Sequence, residues 1–172
     1  MGLVDIKIDD VEVLGREEYL AKLRSSERYN EIMQAGKEYY PDENAAEQAS
    51  YESYLYFAKR TQETINGVRN GNIEDLRVMA QYFNRGWPDL AVQLVPQDRE
   101  KALACYEIIL ANTEPHPLDI LATISLCKEL NKPAHMVAKY ENIYKELRLE
   151  AELSGYGTEY LDSMADEFGL GE

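Results

Sequence analysis

The sequence is poor in the side chains that most often carry out chemistry. It has two histidines, His116 and His135, and two cysteines, Cys105 and Cys127. The histidines lie in or beside predicted turns, and the cysteines lie on predicted apolar helix faces, where a buried thiol behaves as a small hydrophobe. A metal site needs more ligands than these residues supply. Since no nucleophile elbow, glycine-rich phosphate loop, paired CxxC or HExxH motif occurs, we expect no catalytic residue, no metal ion and no cofactor.

Charge is the strongest signal in the composition. The formal net charge is −14, and acidic residues exceed basic ones mainly at the two ends of the chain. Residues 1–47 hold 12 acids and 6 bases, residues 48–112 hold 8 and 7, and residues 113–172 hold 12 and 5. Binding to a phosphate backbone requires basic surface, so direct contact with nucleic acid is disfavoured. A protein partner with a basic surface is favoured instead, or mimicry of nucleic acid by the acidic surface.

Length and hydropathy indicate a folded chain. A sequence of 172 residues with 45% hydrophobic and 29% charged residues is typical of one globular domain. No run of about 18 apolar residues is present, so no membrane span is expected. The N-terminus has an early acid and no apolar segment of the secretory kind. We therefore expect a cytoplasmic protein without membrane association, and the sequence leaves its oligomeric state open.

Two helices in the centre of the chain show the clearest pattern. The first is predicted from about Ile73 to Arg85, with Asn72 as its N-cap and Gly86 as its stop. Its apolar residues recur on one helix face, namely Leu76, Met79, Ala80 and Phe83. The second begins at Asp98 and carries an apolar stripe of Ala102, Cys105, Tyr106 and Ile109. Small alanines at 80 and 102 predict a close approach of the two helices.

The residues of this helix pair follow two known spacings. The spacing A-x-x-x-L-G-x-x-Y-x-x-G is matched in kind by Met79, Ala80, Phe83 and Gly86, with Asp75 in place of the first alanine. The spacing V-x-x-D-x-x-K-A-x-x-W-Y is followed by Val95, Asp98, Lys101, Ala102, Cys105 and Tyr106. The pair thus resembles a Sel-like repeat, a relative of the tetratricopeptide repeat, and a weaker copy begins near Ala122. The resemblance implies a right-handed helical array with a concave binding surface. It also implies that the polar first-helix positions Arg77, Gln81 and Asn84 face a groove.

The rest of the chain is also predicted to be mainly helical. Helices are expected over Arg16–Arg24, then on to Tyr40, and over Asp42–Ile65, Leu118–Leu130, Ala134–Ser154 and from Thr158 onward. The dipeptides Asn66–Gly67 and Asn70–Gly71 predict turns. Residues 4–13 alternate apolar and polar side chains, which predicts a short strand or hairpin. The alternative there is a helix capped by Asp9 or Asp10.

The expected fold class is therefore all-α, a helical-repeat array of about seven helices with a short extended segment near the N-terminus. We expect one domain over residues 1–172. It comprises N-terminal helices (1–71), the repeat-like helix pair (72–112), and a degenerate repeat with an acidic C-terminal helix (113–172).

The loop from Trp87 to Leu94 is longer than the turn typical of the family. It contains the only tryptophan of the chain, together with several aliphatic residues. Long ordered loops are often functional, and tryptophan is enriched among interface hot spots. We therefore predict that Trp87, Asp89 and Leu90 contribute to partner binding. The alternative is that Trp87 folds back and closes the end of the repeat.

These features favour a non-enzymatic protein-binding module, such as an adaptor, an immunity-type protein or an inhibitor. The thirteen tyrosines are compatible with interfaces, and equally with half-buried helix packing. From Leu149 onward the chain has 7 acids and no base, and Asp162, Asp166 and Glu167 are expected to steer a basic partner. The alternative function is an acidic mimic of nucleic acid that blocks the basic cleft of a nucleic-acid-binding enzyme.

Overall fold

The computed structural model describes residues 6–88 and 91–171, and the chain there is built from α-helices. The described residues form eight helices and no strand: α1 (Arg16–Ser25), α2 (Tyr29–Gly36), α3 (Glu43–Arg69), α4 (Ile73–Arg85), α5 (Arg99–Asn112), α6 (Pro117–Glu129), α7 (Ala134–Leu153) and α8 (Glu159–Glu167). The expected all-α class is confirmed. About seven helices were predicted, and an eighth arises because Ser26 adopts an extended backbone after α1. Within the same residues, no helix combines the length and apolar character needed to cross a membrane.

Two compact units divide the chain. The N-terminal unit, Lys7–Asp98, contains α1 to α4, and the C-terminal unit, built on Arg99–Glu172, contains α5 to α8. The two helices of the repeat-like pair, α4 and α5, thus belong to different units. The close approach of Ala80 to Ala102 and the repeat arrangement stay predictions.

The core of the N-terminal unit is rich in tyrosine. Tyr19 of α1 packs against Tyr51 and Tyr54 of α3, with ring centroids 5.3 and 4.6 Å apart. The Tyr19 hydroxyl lies 2.6 Å from the hydroxyl of Ser50, so it keeps a hydrogen-bond partner in the core. Burial raises the pKa of Tyr19, which keeps its hydroxyl neutral at physiological pH. Tyrosine can therefore fill this core without leaving a buried polar atom unsatisfied.

The segment 6–15 lies along α3 and forms no strand. Side chains of α3 replace the partner that a strand would need: Gln62 accepts from the Val11 amide (2.9 Å), Tyr54 accepts from the Leu14 amide (3.0 Å), and Arg69 donates to the Ile8 carbonyl (2.8 Å). Ile8 is buried at 8% exposure. The predicted strand or hairpin is therefore wrong for the described part of residues 4–13, because helix side chains satisfy the backbone. Val4 lies outside the described residues.

A buried carboxylate connects the first three helices. Glu47 of α3 is 2% exposed, and both of its oxygens accept hydrogen bonds from Arg24 of α1, at 2.9 and 2.6 Å. The hydroxyl of Tyr29, in α2, donates to the same carboxylate at 2.9 Å and also contacts Glu43. The hydrogen bonds from the Arg24 guanidinium lower the pKa of Glu47, and burial only partly opposes them. The charge is therefore retained inside the unit because hydrogen bonds from Arg24 and Tyr29 replace its hydration.

Helix α3 continues past the predicted turn at Asn66–Gly67 and ends at Arg69. Gly67 is needed for a close approach and not for a turn, because a Cβ built there would lie 1.8 Å from the Asp75 carboxylate at the start of α4. The turn follows at Asn70–Gly71, as predicted, where Gly71 has a positive φ of 86°. The predicted turn at Asn66–Gly67 was wrong, because Gly67 allows α3 and α4 to pack closely instead of forming a turn.

In the C-terminal unit, α6 is the most deeply buried helix. Eight of its residues are buried, among them Ile120, Leu121 and Leu126. Cys105 and Cys127 are buried and form no disulfide, and burial raises the pKa of the Cys127 thiol. Helix α8 packs on α6 through a cluster of Leu121 with Leu161, Met164 and Ala165. Helix α6, which is apolar on two faces, thus organises this unit.

Replacing Glu47 should reveal a pH-dependent contribution to stability. A lowered folded-state pKa means that the ionised carboxylate stabilises the fold above its ordinary value of 4.5, and that this contribution is lost as pH falls through the lower folded value. We expect Glu47→Gln to lower the free energy of unfolding by about 1–3 kcal/mol at neutral pH. The difference from wild type should shrink below pH 4.5 in urea titrations followed by circular dichroism.

The matched control for that experiment is Glu63→Gln. Glu63 makes an exposed ion pair with Arg60 at 3.1 Å within one turn of α3. Its loss should change stability by less than about 0.5 kcal/mol. A Glu47→Gln penalty that stays constant from neutral to acidic pH would show that the carboxylate charge does not stabilise the fold.

The close approach at Gly67 can be tested by a double-mutant cycle. Gly67→Ala alone should lower the free energy of unfolding by about 0.5–1.5 kcal/mol, because the Asp75 side chain must rotate away from the new methyl group. In an Asp75→Ala background the same change should be neutral or stabilising by up to about 1 kcal/mol, since alanine favours helix interiors. Urea unfolding of the four proteins measures both terms. An equal penalty in both backgrounds would contradict the assignment of the clash to Asp75.

Candidate functional site

Helix α4 has the boundaries that its sequence predicts. The Asn72 side chain caps its start by accepting from the amides of Glu74 and Asp75, at 2.9 and 3.2 Å. Gly86 ends it with a positive φ of 79°. The four predicted apolar residues are buried, and they fix which side of α4 faces the core: Leu76, Met79, Ala80 and Phe83. The polar residues between them are therefore turned away from the centre of the core.

The predicted helix-face residues have different surroundings. Arg77, Gln81 and Asn84 follow the i, i+4, i+7 spacing of one helix face. The Arg77 guanidinium donates to Glu74 at 2.6 Å and its side chain is 23% exposed. Gln81 is exposed, and the half-buried Asn84 accepts a bond from the Gln97 side chain at its carbonyl, at 2.8 Å. Gln81 is thus the most accessible of the three.

The loop after α4 closes on itself. The amide of Trp87 donates to the Val95 carbonyl and the amide of Val95 donates to the Trp87 carbonyl, both at 2.8 Å. This pair forms an isolated antiparallel bridge, and a cis peptide bond joins Trp87 to Pro88. The amide of Asp98 then donates to the Phe83 carbonyl at the end of α4, at 2.7 Å. The loop is therefore anchored at both ends, while Asp89 and Leu90 lie outside the described residues.

The indole of Trp87 lies among other aromatic rings. It stacks on Tyr82 of α4, with centroids 4.4 Å apart and planes 6° apart, and meets the ring of Phe57 edge-on at 5.5 Å. Phe57 in turn contacts Tyr56 at 5.8 Å. We call Tyr56, Phe57, Tyr82 and Trp87 the aromatic row. Trp87 was predicted from the sequence, but Tyr82 was not. Tyr82 lies five residues before Trp87, and the two rings meet only because the loop folds back onto α4.

The aromatic row is partly open to solvent. Tyr56 is 60% exposed, and Phe57, Tyr82 and Trp87 are each half-buried. Burial raises the pKa of the Tyr82 hydroxyl, and the nearby Arg60 cation opposes that rise. Rings held against one another lose little freedom when a partner covers them. The row therefore offers a preorganised contact surface, and its packing also gives Trp87 the supporting role that the alternative interpretation assigns to it.

The three acidic residues predicted to steer a partner are not equivalent. Asp162 accepts two hydrogen bonds from Arg148, at 2.9 and 3.3 Å, and one from the Thr158 hydroxyl at 3.0 Å. The bonds from Arg148 lower the pKa of Asp162. Asp166 and Glu167 are exposed near the end of α8. Because Arg148 offsets the charge of Asp162, the other two acids project more of the negative potential.

A second polar concavity, of about 470 Å³, surrounds Arg24, Tyr29 and Glu47. Arg24, Tyr29 and Glu47 are already bonded to one another, so the concavity serves the packing of α1 to α3. In the ranges that the structure describes, no group of three or more His, Cys, Asp or Glu side chains is placed to hold a metal ion. The acidic surface thus carries charge without forming a metal centre there.

Comparison of the chain with known proteins finds no match among models of protein families, among curated proteins or among solved structures. The resemblance to Sel-like repeats therefore rests on the residues of the central helices alone and stays a prediction.

Proposed function

We propose that the protein is a non-enzymatic protein-binding module that holds its partner through the aromatic row, with further contacts from the polar face of α4. The observation that carries this proposal is the ring packing of Trp87 with Tyr82 and Phe57 next to the exposed Tyr56. Interface cores are enriched in aromatic residues and depleted of charge, and hot spots are enriched in tryptophan and tyrosine. The row combines these properties on one surface of the N-terminal unit.

Polar residues of α4 are proposed to add contacts outside the row. Arg77, Gln81 and Asn84 follow one face of α4, and that face lies about 100° or more around the helix axis from Tyr82. Asp89 and Leu90, which follow Trp87 closely in the sequence, remain part of the predicted surface. The Sel-like or tetratricopeptide-like array remains part of the proposal, since such arrays bind through their first helices. An adaptor, an immunity-type protein or an inhibitor would each use this kind of surface.

The proposed partner is a protein with a basic surface. A net charge of −14 attracts positively charged molecules and repels nucleic acid. Long-range attraction speeds encounter, and the aromatic contact then sets the lifetime of the complex. This division assigns affinity to the aromatic row and association rate to the acids.

Truncation of Trp87 tests the proposed surface. Purified wild-type protein is used to capture its partner from the native host for identification by mass spectrometry, and binding is then measured with the purified partner. We expect Trp87→Ala to weaken binding by about 1–3 kcal/mol, as loss of a hot-spot aromatic does. The matched control is Tyr39→Ala, because Tyr39 is an exposed aromatic of the same unit, at 78%, outside the row.

Stability of each free variant separates binding from folding. If Trp87→Ala unfolds the free protein while its folded fraction binds the partner normally, the tryptophan closes the core and the proposed surface is wrong. If Tyr39→Ala weakens binding as much as Trp87→Ala does, the row has no special role.

The second candidate function, an acidic mimic of nucleic acid, is favoured by the run of 7 acids without a base from Leu149 onward. Charge reversal at Asp166 and Glu167 tests it, because both are exposed. Under the aromatic-row proposal, Asp166→Lys with Glu167→Lys should slow association by up to about tenfold and leave dissociation nearly unchanged. The measurement is surface plasmon resonance at several salt concentrations.

Asp162 needs a separate variant in that experiment. Reversal at Asp162 also breaks its contacts with Arg148 and Thr158, so the triple reversal mixes steering with packing. Asp162→Asn keeps the shape of the side chain and isolates the charge. If reversal at 166 and 167 abolishes binding at physiological salt, the mimic is the better account and the aromatic row is secondary.

A further inference from the structure

A concavity of the C-terminal unit lies outside the proposed partner surface and shares with the proposed function only the steering residues Asp162 and Asp166. It encloses about 510 Å³ and is lined by residues of α6, α7 and α8. Its apolar wall consists of Leu121, Ile124, Ala165 and Leu170. Cavities of this size with an apolar wall and a few polar groups are the usual form of small-molecule sites.

Charged residues surround that apolar wall. Lys128 pairs with Glu141 at 3.1 Å, and Arg148 pairs with Asp162 at 2.9 Å. These four side chains therefore neutralise one another at the edge of the cavity. The two ion pairs leave little net charge at the edge of the cavity to attract a ligand.

Two further charged residues line the cavity. Among the described residues, Lys145 has no carboxylate and Asp166 has no basic group within 4.0 Å. The Lys145 ammonium and the Asp166 carboxylate are therefore more than 4.0 Å from each other as well. Helix α7 thus contributes a positive charge to the lining and α8 a negative one, and the Asp166 carboxylate also packs against Gly171.

We infer that this cavity binds a small zwitterion with an apolar side chain, of the class of the apolar α-amino acids. Lys145 would pair with the carboxylate of the ligand and Asp166 with its ammonium group, while the side chain occupies the apolar wall. The carboxylate of a simple fatty acid would be repelled by Asp166. The ammonium group of a simple amine would be repelled by Lys145. A ligand that carries both charges matches both residues.

Three probes distinguish the contribution of each ligand charge to binding. L-phenylalanine carries both, N-acetyl-L-phenylalanine lacks the ammonium group, and L-phenylalaninamide lacks the carboxylate. Each is titrated into the full chain labelled with nitrogen-15, and chemical shifts of Leu121, Ile124 and Gly171 report occupancy of the cavity. We expect saturable binding of L-phenylalanine and affinities lower by about twofold to fivefold for each analogue, the range of exposed ion pairs.

Two variants connect each charge to its residue. Lys145→Gln should weaken L-phenylalanine by about twofold to fivefold and should not weaken L-phenylalaninamide, because the variant removes a like charge from the amine's surroundings. Asp166→Asn should weaken L-phenylalanine and L-phenylalaninamide alike and should not weaken N-acetyl-L-phenylalanine, for the corresponding reason. Both residues are exposed, so folding is not at risk. The matched controls are Lys139→Gln on α7 and Glu167→Gln on α8, which lie outside the cavity lining.

The inference is overturned by any of three results. The first is absence of saturable shifts for L-phenylalanine up to its solubility. The second is equal affinity for all three probes. The third is an unchanged affinity of Lys145→Gln or Asp166→Asn for L-phenylalanine, or an equal loss in the control variants. Because the cavity belongs to the C-terminal unit, these results are independent of whether Trp87→Ala affects partner binding.

Discussion

The N-terminal unit depends on the neutralisation of one carboxylate. Glu47 is taken out of water on the longest helix of the chain, and a buried charge costs several kcal/mol unless it is paired and hydrogen-bonded. Arg24 and Tyr29 supply those bonds from two other helices. The bonding geometry fixes where α1 and α2 sit on α3, so apolar packing of the tyrosine core and charge pairing specify the same arrangement. Such agreement between interactions of different kinds is what selects one fold over its competitors.

The aromatic row and the cavity of the C-terminal unit illustrate two ways of preparing a surface for a ligand. In the row, rings such as Trp87 and Tyr82 pack on one another, so their positions are fixed before a partner binds. In the cavity, ion pairs such as Arg148 with Asp162 neutralise charges at the edge, and the charges of Lys145 and Asp166 remain without an ion-pair partner among the described residues. The first arrangement would suit the proposed protein partner, and the second would suit the proposed zwitterion with an apolar side chain. An acidic protein can thus discriminate between ligands without depending on its net charge.

The helix boundaries could be predicted where the signal is local. Asn72 and Gly86 act on neighbouring backbone groups, and so their roles could be inferred from the sequence around α4. Features that depend on distant residues could not. Gly67 has the same chemistry in a turn as in a close helix contact, and only the position of Asp75 decides between them. The candidate site followed the same rule: Trp87 was selected by type, but its stacking on Tyr82 requires the fold of the loop, and the pairing of Asp162 with Arg148 requires the fold of α7 and α8.

The attachment of the segment 6–15 has a consequence for how the protein can vary. A strand in a sheet is bound by its neighbour's backbone, which is present whatever the side chains are. Here the bonds come from individual side chains, among them Gln62, Tyr54 and Arg69. Substitution of Gln62 or Arg69 therefore removes one attachment and leaves the core intact, whereas Tyr54 also belongs to the tyrosine core. The number of hydrogen bonds that hold the segment can therefore change one at a time during evolution, and selection can adjust how firmly the segment is attached.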